Sequence, residues 1–180
     1  MSTSAVSTFI PTGTWQLDPV HSSVTFEIPY LGGAFRGEVR NVDATLEVAD
    51  AGARLAGRAP TSAIDAKDEN LSAHLQGPDF FDAPRYPELR FEADQLRFED
   101  GRVEADGELT VRGVTRDVAL GGSSSGPLTD AFGRERIGLR LSTTFDRTEF
   151  GLDWNLPLPS GEPALANDVT LSAELFFVKA

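Results

Sequence analysis

The stretch HSSVTFEIPYLGGAFRG, residues 21–37, joins two β-like segments through a corner that contains two glycines. From Val24 to Ile28 apolar residues alternate with polar ones, which is the pattern of a strand with one buried face. Pro29 and the Gly32–Gly33 pair interrupt this alternation before it resumes. We therefore expect a wide corner at residues 30–34 between two long strands.

The same alternation recurs along the chain, separated by glycines or acidic turn residues. The clearest segments are Trp15–Leu17, Leu46–Val48, Leu89–Phe91, Leu96–Phe98, Leu109–Val111, Val118–Leu120, Ile137–Phe145 and Val169–Phe177. Short connections between strands with one polar face indicate an antiparallel sheet. So many strands without a second layer of helices must form a sandwich or a barrel, and we favour an all-β barrel of about eight strands. In this barrel Phe35–Val48 is one long strand that bends at Gly37.

One segment departs from this period. Near residues 65–87 the pattern predicts a short helix followed by a loop, with Asp65 as the N-cap and Gly77–Pro78 as the end. Its apolar face carries Leu71, His74 and Leu75. We interpret it as a helix-plus-loop insertion in the barrel.

Length and composition favour one globular domain. The chain has 180 residues, of which 40% are hydrophobic and 24% charged. We expect a flexible leader at residues 1–13 and a single domain at 14–180. No stretch is long and apolar enough for a membrane span, and residues 1–14 lack the features of a signal peptide, so a cytoplasmic location is predicted. The net charge of −12 argues against a nucleic-acid partner.

The segment GGSSSG, residues 121–126, contains a formal match to the esterase motif G-x-S-x-G. That motif requires a strand before the serine and a helix after it. Pro127 and Gly133 follow here, so we reject the match and expect a flexible loop.

Two histidines, His21 and His74, are the remaining candidates for chemistry. Neither has the spacing of a metal-binding motif, and the chain contains no cysteine, so we predict no metal, no cofactor and no catalytic residue. For His21 we favour a structural role in its turn. The alternative is a small hydrolase or isomerase that uses His21 with Asp18, or His74.

Aromatic residues are the unusual feature, with twelve phenylalanines beside two tyrosines. Several lie next to predicted loops: Phe35, Phe80, Phe81, Phe132, Phe150 and Trp154. Such residues are typical of the apolar mouth of a barrel that encloses a small ligand. A barrel with a solid core that binds a protein partner is the other alternative.

Several motifs together resemble the YceI-like family of polyisoprenoid-binding proteins. They are WQLDPVHSSVTF (15–26), FRGEV (35–39), AHLQGPDFFDAPRYPELRFEA (73–93), GELTVRGVTRDVAL (107–120), TTFDRTEFGLDWN (143–155) and NDVTLSAEL (167–175). The resemblance implies a lipocalin-like barrel that binds, transports or stores a long-chain isoprenoid, such as an isoprenoid quinone, or a similar amphiphilic lipid, without catalysis. It also makes a homodimer plausible.

On this basis we expect the ligand to contact residues of the corner, the insertion and the inward faces of later strands. These are His21, Phe26, Ile28, Phe35, Arg36, His74, Leu75, Phe80, Phe81, Phe91, Leu139, Leu141, Phe145, Phe150 and Trp154. Arg36 is the expected contact for a polar head group, because a guanidinium binds oxygen anions through paired hydrogen bonds.

Overall fold

A computed structural model describes residues 10–180 of the chain. The strands are β1 (Gly13–Leu17), β2 (Ser23–Tyr30), β3 (Gly33–Val39), β4 (Asp43–Ala49), β5 (Gly52–Pro60), β6 (Ile64–Asp65), β7 (Glu88–Glu99), β8 (Arg102–Val111), β9 (Val114–Thr129), β10 (Glu135–Asp146) and β11 (Asp168–Lys179). Helix α1 spans Glu69–Gln76, and 3₁₀ helices span Thr61–Ala63 and Arg147–Phe150. Most of the predicted leader lies outside the described residues. In its described part, Ile10 is buried and β1 begins at Gly13.

Eight strands close into an antiparallel barrel. They pair in the order β1-β4-β5-β7-β8-β9-β10-β11, and β11 pairs back with β1. This confirms the predicted all-β barrel with one short helical insertion. Alternate residues of each strand point into the barrel, where their apolar side chains meet.

The edge of β11 is shared between two strands, and this divides the barrel into two halves. Within β11, residues Phe177–Lys179 pair with β1, whereas residues Thr170–Glu174 pair with β2. Strand β3 pairs with β2 on one side and with the two-residue β6 on the other, and it does not pair with β4. The wall is thus closed by β1 at one end, and by the β2–β3 hairpin and the insertion at the other.

Two predictions about the opening stretch are wrong. The expected wide corner is a two-residue turn at Leu31 and Gly32, where φ is +46° and +76°, and Pro29 belongs to β2. Positive φ at both central residues matches the right-handed twist of a hairpin. The single strand expected from Phe35 to Val48 breaks at residues 40–42, where Asn41 adopts φ +56°. Asparagine tolerates this left-handed conformation better than most residues.

Two local predictions in later segments are also wrong. The N-cap of α1 is Asp68, whose side chain accepts a hydrogen bond from the Leu71 amide at 2.9 Å, and not Asp65. The GGSSSG segment is part of β9 and not a loop. Both β8 and β10 pair with it, so its backbone groups are satisfied despite its flexible composition. Strand β9 continues to Thr129 after the serines, whereas the rejected esterase motif would require a helix there.

Large side chains fill the barrel at the end that β1 closes. Trp15, Leu46 and Phe177 are 0% exposed, and Leu139 is 1% exposed. The Trp15 indole donates a hydrogen bond to the Pro11 carbonyl at 3.1 Å, so its polar atom is also satisfied. We call this half the packed end. It is made by Trp15, Leu46, Leu96, Val103, Ala105, Ile137, Leu139 and Phe177.

Candidate functional site

The other half of the barrel, which we call the hollow end, encloses a cavity of about 360 Å³. Its size falls within the range of small-molecule sites in proteins. Inward-facing residues of the strands form one side of it, and α1 and the following loop form another. The aliphatic and aromatic lining includes Val24, Phe26, Ile28, Phe35, Leu71, Leu75, Phe80, Phe81, Phe91, Leu120, Leu141, Phe145, Val169 and Leu171.

Small residues explain why this half is not filled. Ala44, Ala59 and Ala173 belong to the lining, where their side chains are too short to reach across the interior. Gly37 faces Phe26 across the β2–β3 pair, and a Cβ at Gly37 would overlap the Phe26 ring. The absence of a side chain at this position therefore lets the ring lie against the backbone of β3.

Partly exposed aromatic residues mark the opening of the cavity. Tyr30 is 40% exposed, and Phe35, His74 and Trp154 are half-buried, although all four line the cavity. The His74 ring contacts Trp154 edge to face, with ring centres 4.9 Å apart. Its Nε2 atom lies 3.1 Å from a carboxylate oxygen of Asp79. The opening is thus apolar with one polar pair beside it.

A buried arginine is also among the residues around the cavity. Arg147 lies in the 3₁₀ helix after β10 and is 1% exposed. Its Nε donates to the Ala166 carbonyl at 2.9 Å, and its Nη1 donates to the carbonyls of Leu152 and Trp154. These bonds hold the segment after β10 against the barrel. Burial lowers the pKa of the Arg147 guanidinium, because a charge is less stable away from water.

Most of the residues predicted to bind ligand line the cavity. They are Phe26, Ile28, Phe35, His74, Leu75, Phe80, Phe81, Phe91, Leu141, Phe145 and Trp154.

Four predicted residues lie outside the lining. Arg36 has an exposed side chain and pairs with Glu27 at 3.3 Å, so it does not meet the interior. Leu139 and Phe150 are buried in the protein core. His21 is exposed and lies 2.7 Å from Asp18. This matches its favoured role in the turn.

Asp18 belongs to an ion cluster at the packed end. Arg136 donates to Asp18 at 2.8 Å and to Asp130 at 2.7 Å. These bonds hold the pKa values of both carboxyl groups well below their ordinary range. Asp18 therefore forms part of a salt-bridge network with Arg136, the His21 ring lies within hydrogen-bond distance of it, and neither Asp18 nor His21 lines the cavity. Within residues 10–180, no group of three or more histidine or acidic side chains has metal-binding geometry.

Sequence reasoning missed Arg147 and the lining residues of β5, β8 and β9. Leu55, Leu109 and Val118 follow the inward period of their strands, so the alternation itself could have identified them. Arg147 had no such signal, because an arginine next to Asp146 in a polar segment has the pattern of an exposed residue.

Within residues 10–180, no helix is long and apolar enough to cross a membrane.

Comparisons with known proteins agree with this architecture. The UPF0312 protein of Staphylococcus aureus is 27% identical over 168 residues, covering 89% of this chain and 94% of its own length. The crystal structure of Burkholderia cenocepacia BcnA superimposes with a TM-score of 0.75 at 16% identity, covering 89% of this chain and 98% of that one. A polyisoprenoid binding domain from Saccharophagus degradans gives a TM-score of 0.63 at 11% identity, covering 92% and 98%. The family model described as the YceI-like domain matches residues 15–177, so the chain belongs to that family.

Proposed function

We propose that the chain binds a long-chain isoprenoid, or a similar amphiphilic lipid, in the cavity as a non-catalytic carrier or store. The observation that carries this proposal is the cavity of about 360 Å³ with its aliphatic and aromatic lining. Removing apolar surface from water contributes roughly 25 cal/mol per Å² to binding. The fold likeness to the polyisoprenoid binding domain of Saccharophagus degradans supports the same ligand class.

The cavity-lining subset of the predicted residues supplies the proposed contacts. In the described part of the chain, the lining contains no serine, threonine, cysteine or carboxylate. Serine, threonine, cysteine and carboxylate nucleophiles are thus missing from this wall, which supports binding over covalent catalysis through such groups. The ligand is held by burial of its chain against Phe26, Phe81 and Phe91, and Trp154 contacts it at the opening.

The cavity volume sets how much of the ligand is enclosed. A site of about 360 Å³ holds a drug-sized segment, so a long chain extends through the opening beside Trp154. Each isoprene unit that enters contributes on the order of 2 kcal/mol before ordering costs. We expect affinity to rise with chain length and then level off once the enclosed segment is complete.

The test has two arms. Organic-solvent extraction of the purified protein, followed by mass spectrometry, identifies any lipid that co-purifies. The delipidated protein is then titrated with prenyl alcohols of increasing length while tryptophan emission is followed. Binding should change the emission of Trp154 at the opening, and Trp154→Phe should remove that change. The proposal would be contradicted if no lipid co-purified with the protein and no prenyl alcohol showed saturable binding.

The His74–Asp79 pair beside the cavity favours a second candidate, an isomerase or hydrolase that uses this histidine as acid or base. The two candidates differ in turnover. A carrier returns prenyl substrates unchanged, and His74→Ala alters only its affinity. Conversion of a prenyl ester or alkene that depends on His74 would support the enzyme instead.

The cytoplasmic location, the lack of a nucleic-acid partner and the homodimer stay predictions. Fractionation of the source cells tests the first, and a DNA- and RNA-binding assay tests the second. Size-exclusion chromatography with light scattering tests the third.

A further inference from the structure

Two leucines are exposed on the outside of the hollow end, next to the opening of the cavity. The large apolar side chains that we find exposed between residues 10 and 180 are Val20, Tyr30, Leu31, Leu128, Phe132 and Leu156. We call Leu31 and Leu156, which are 57% and 53% exposed, the rim leucines. Val20, Leu128 and Phe132 lie instead around the ion cluster at the packed end.

A small antiparallel sheet holds the rim leucines on either side of one alanine. The Leu31 amide donates a hydrogen bond to the Ala164 carbonyl at 3.3 Å, and the Ala164 amide donates to the Leu156 carbonyl at 3.0 Å. Residues opposite each other in a β-pair share a face, so these three side chains point the same way. Tyr30 pairs with Leu165, and both line the cavity from the other face. This small sheet is thus cavity wall on one side and apolar surface on the other.

The two segments that carry the rim leucines contain few charges, and those charges are negative. Residues 28–34 contain no charged residue, whereas residues 151–166 contain Asp153 and Glu162 but no lysine or arginine. Both acidic residues are exposed. Anionic lipid would be repelled by them and by the net charge of −12. The rim leucines therefore suit an apolar or zwitterionic contact.

A lipid surface fits the rim leucines better than a second copy of the chain does. Two leucines that are each about half exposed supply far less than the roughly 800 Å² per partner that a stable protein interface buries. Pairing two copies through this surface would also bring their acidic residues together. The proposed ligand, by contrast, partitions into bilayers rather than water, so it has to pass between a bilayer and the opening of the cavity.

We propose that the rim leucines dock the protein onto a zwitterionic lipid surface, where the ligand passes between the bilayer and the cavity without crossing water. This inference rests on the proposed function and names the source of its ligand. Tyr30 is 40% exposed and also lines the cavity, so it joins the docked surface to the interior. Docking is shallow and reversible, because two leucines bury little apolar area in the lipid.

The test follows the transfer of a radiolabelled long-chain prenyl alcohol between vesicles of phosphatidylcholine. Wild-type protein should accelerate this transfer over the rate without protein. The double variant Leu31→Ser, Leu156→Ser should slow the protein-dependent transfer about tenfold or more, because it no longer buries the leucines in the lipid. The control is the double variant Leu128→Ser, Phe132→Ser at the packed end, which should transfer at the wild-type rate. Adding phosphatidylglycerol to the vesicles should slow the wild-type protein.

Binding of farnesol in solution, without vesicles, separates this proposal from the proposed function. The rim variant should bind farnesol with the wild-type affinity, since neither leucine lines the cavity. If wild-type protein binds farnesol but accelerates no transfer, docking is overturned and the binding function stands. If neither farnesol nor the long-chain alcohol binds, both proposals fail.

Three further outcomes would overturn the docking surface. One is a rim variant that transfers the alcohol as fast as wild-type protein, and another is equal slowing by the packed-end control. The third is a dimer, seen by light scattering, that the rim substitutions dissociate, because the leucines would then contact a second copy. Faster transfer with phosphatidylglycerol would overturn the choice of a zwitterionic surface.

Discussion

The packed end and the hollow end are built from the same strands but have opposite interiors. Leu139 and Leu141 show this within β10, since both point inward and are 1% and 3% exposed, yet only Leu141 borders the cavity. At the packed end β1 completes the ring, and Trp15 and Phe177 fill it. At the hollow end the β2–β3 hairpin and the α1 insertion take the place of β1. The interior is thus filled where β1 borders β11, and it holds the cavity where β2 borders β11.

The largest expected effect is a difference in stability between two matched leucine substitutions. Leu139→Ala should lower the free energy of unfolding by about 2–5 kcal/mol, because it opens a void in a filled core. Leu141→Ala should cost at least about 1 kcal/mol less, since its side chain already borders empty space. Urea denaturation of the delipidated proteins measures both. Equal losses would mean that the two ends are packed alike.

Added volume should also destabilise the packed end more than the hollow end. Ala105 is 0% exposed at the packed end, so Ala105→Phe should destabilise the protein by about 1–3 kcal/mol through overpacking. Ala173 lines the cavity, so Ala173→Phe should change stability by less than about 1 kcal/mol. The same Ala173→Phe protein should bind prenyl alcohols at least about tenfold more weakly, because the ring occupies their space. Undiminished binding would show that the ligand lies elsewhere.

A smaller effect is expected at the glycine that supports the cavity wall. Gly37→Ala should cost about 1 kcal/mol and weaken ligand binding, because the new Cβ pushes the Phe26 ring toward the cavity. Gly33 is the matched control in the same strand, since a Cβ there meets only ordinary contacts. Thermal denaturation and ligand titration of both variants check the difference. If Gly33→Ala has the same effect as Gly37→Ala, the close contact with Phe26 is unimportant.

The smallest expected effect concerns pH and belongs to the packed end. Hydrogen bonds from Arg136 lower the pKa values of Asp18 and Asp130, so these groups stabilise the fold above the ordinary carboxyl pKa of about 4. That contribution is lost as the pH falls further and the carboxylates become protonated.

Arg136→Gln should therefore be slightly less stable at neutral pH, and its stability should fall less between pH 5 and pH 2, a range chosen around that value of about 4. Arg97→Gln is the control, because Arg97 forms two exposed ion pairs elsewhere, with Glu104 and Asp106. Ligand affinity at pH 7 should be the same in both variants. An altered affinity in Arg136→Gln would mean that the ion cluster acts on the cavity as well.

The barrel could be predicted from the sequence because period-two alternation is a local signal that each strand carries by itself. The division of its interior could not, since Leu139 and Leu141 are identical residues with the same pattern. The break at Asn41 depends on one left-handed residue, and many asparagines in strands do not adopt that conformation. Arg147 shows the same limit for the site, because its hydrogen-bond partners are the carbonyls of Leu152, Trp154 and Ala166, which lie 5, 7 and 19 residues away in the sequence.

The most direct test of the hollow end is a crystal structure of the delipidated protein under xenon pressure, since xenon enters empty apolar cavities. We predict anomalous density between Phe26, Phe91 and Leu141, and none between Trp15, Leu139 and Phe177. Side chains collapsed into the first region, with no xenon bound there, would contradict the account.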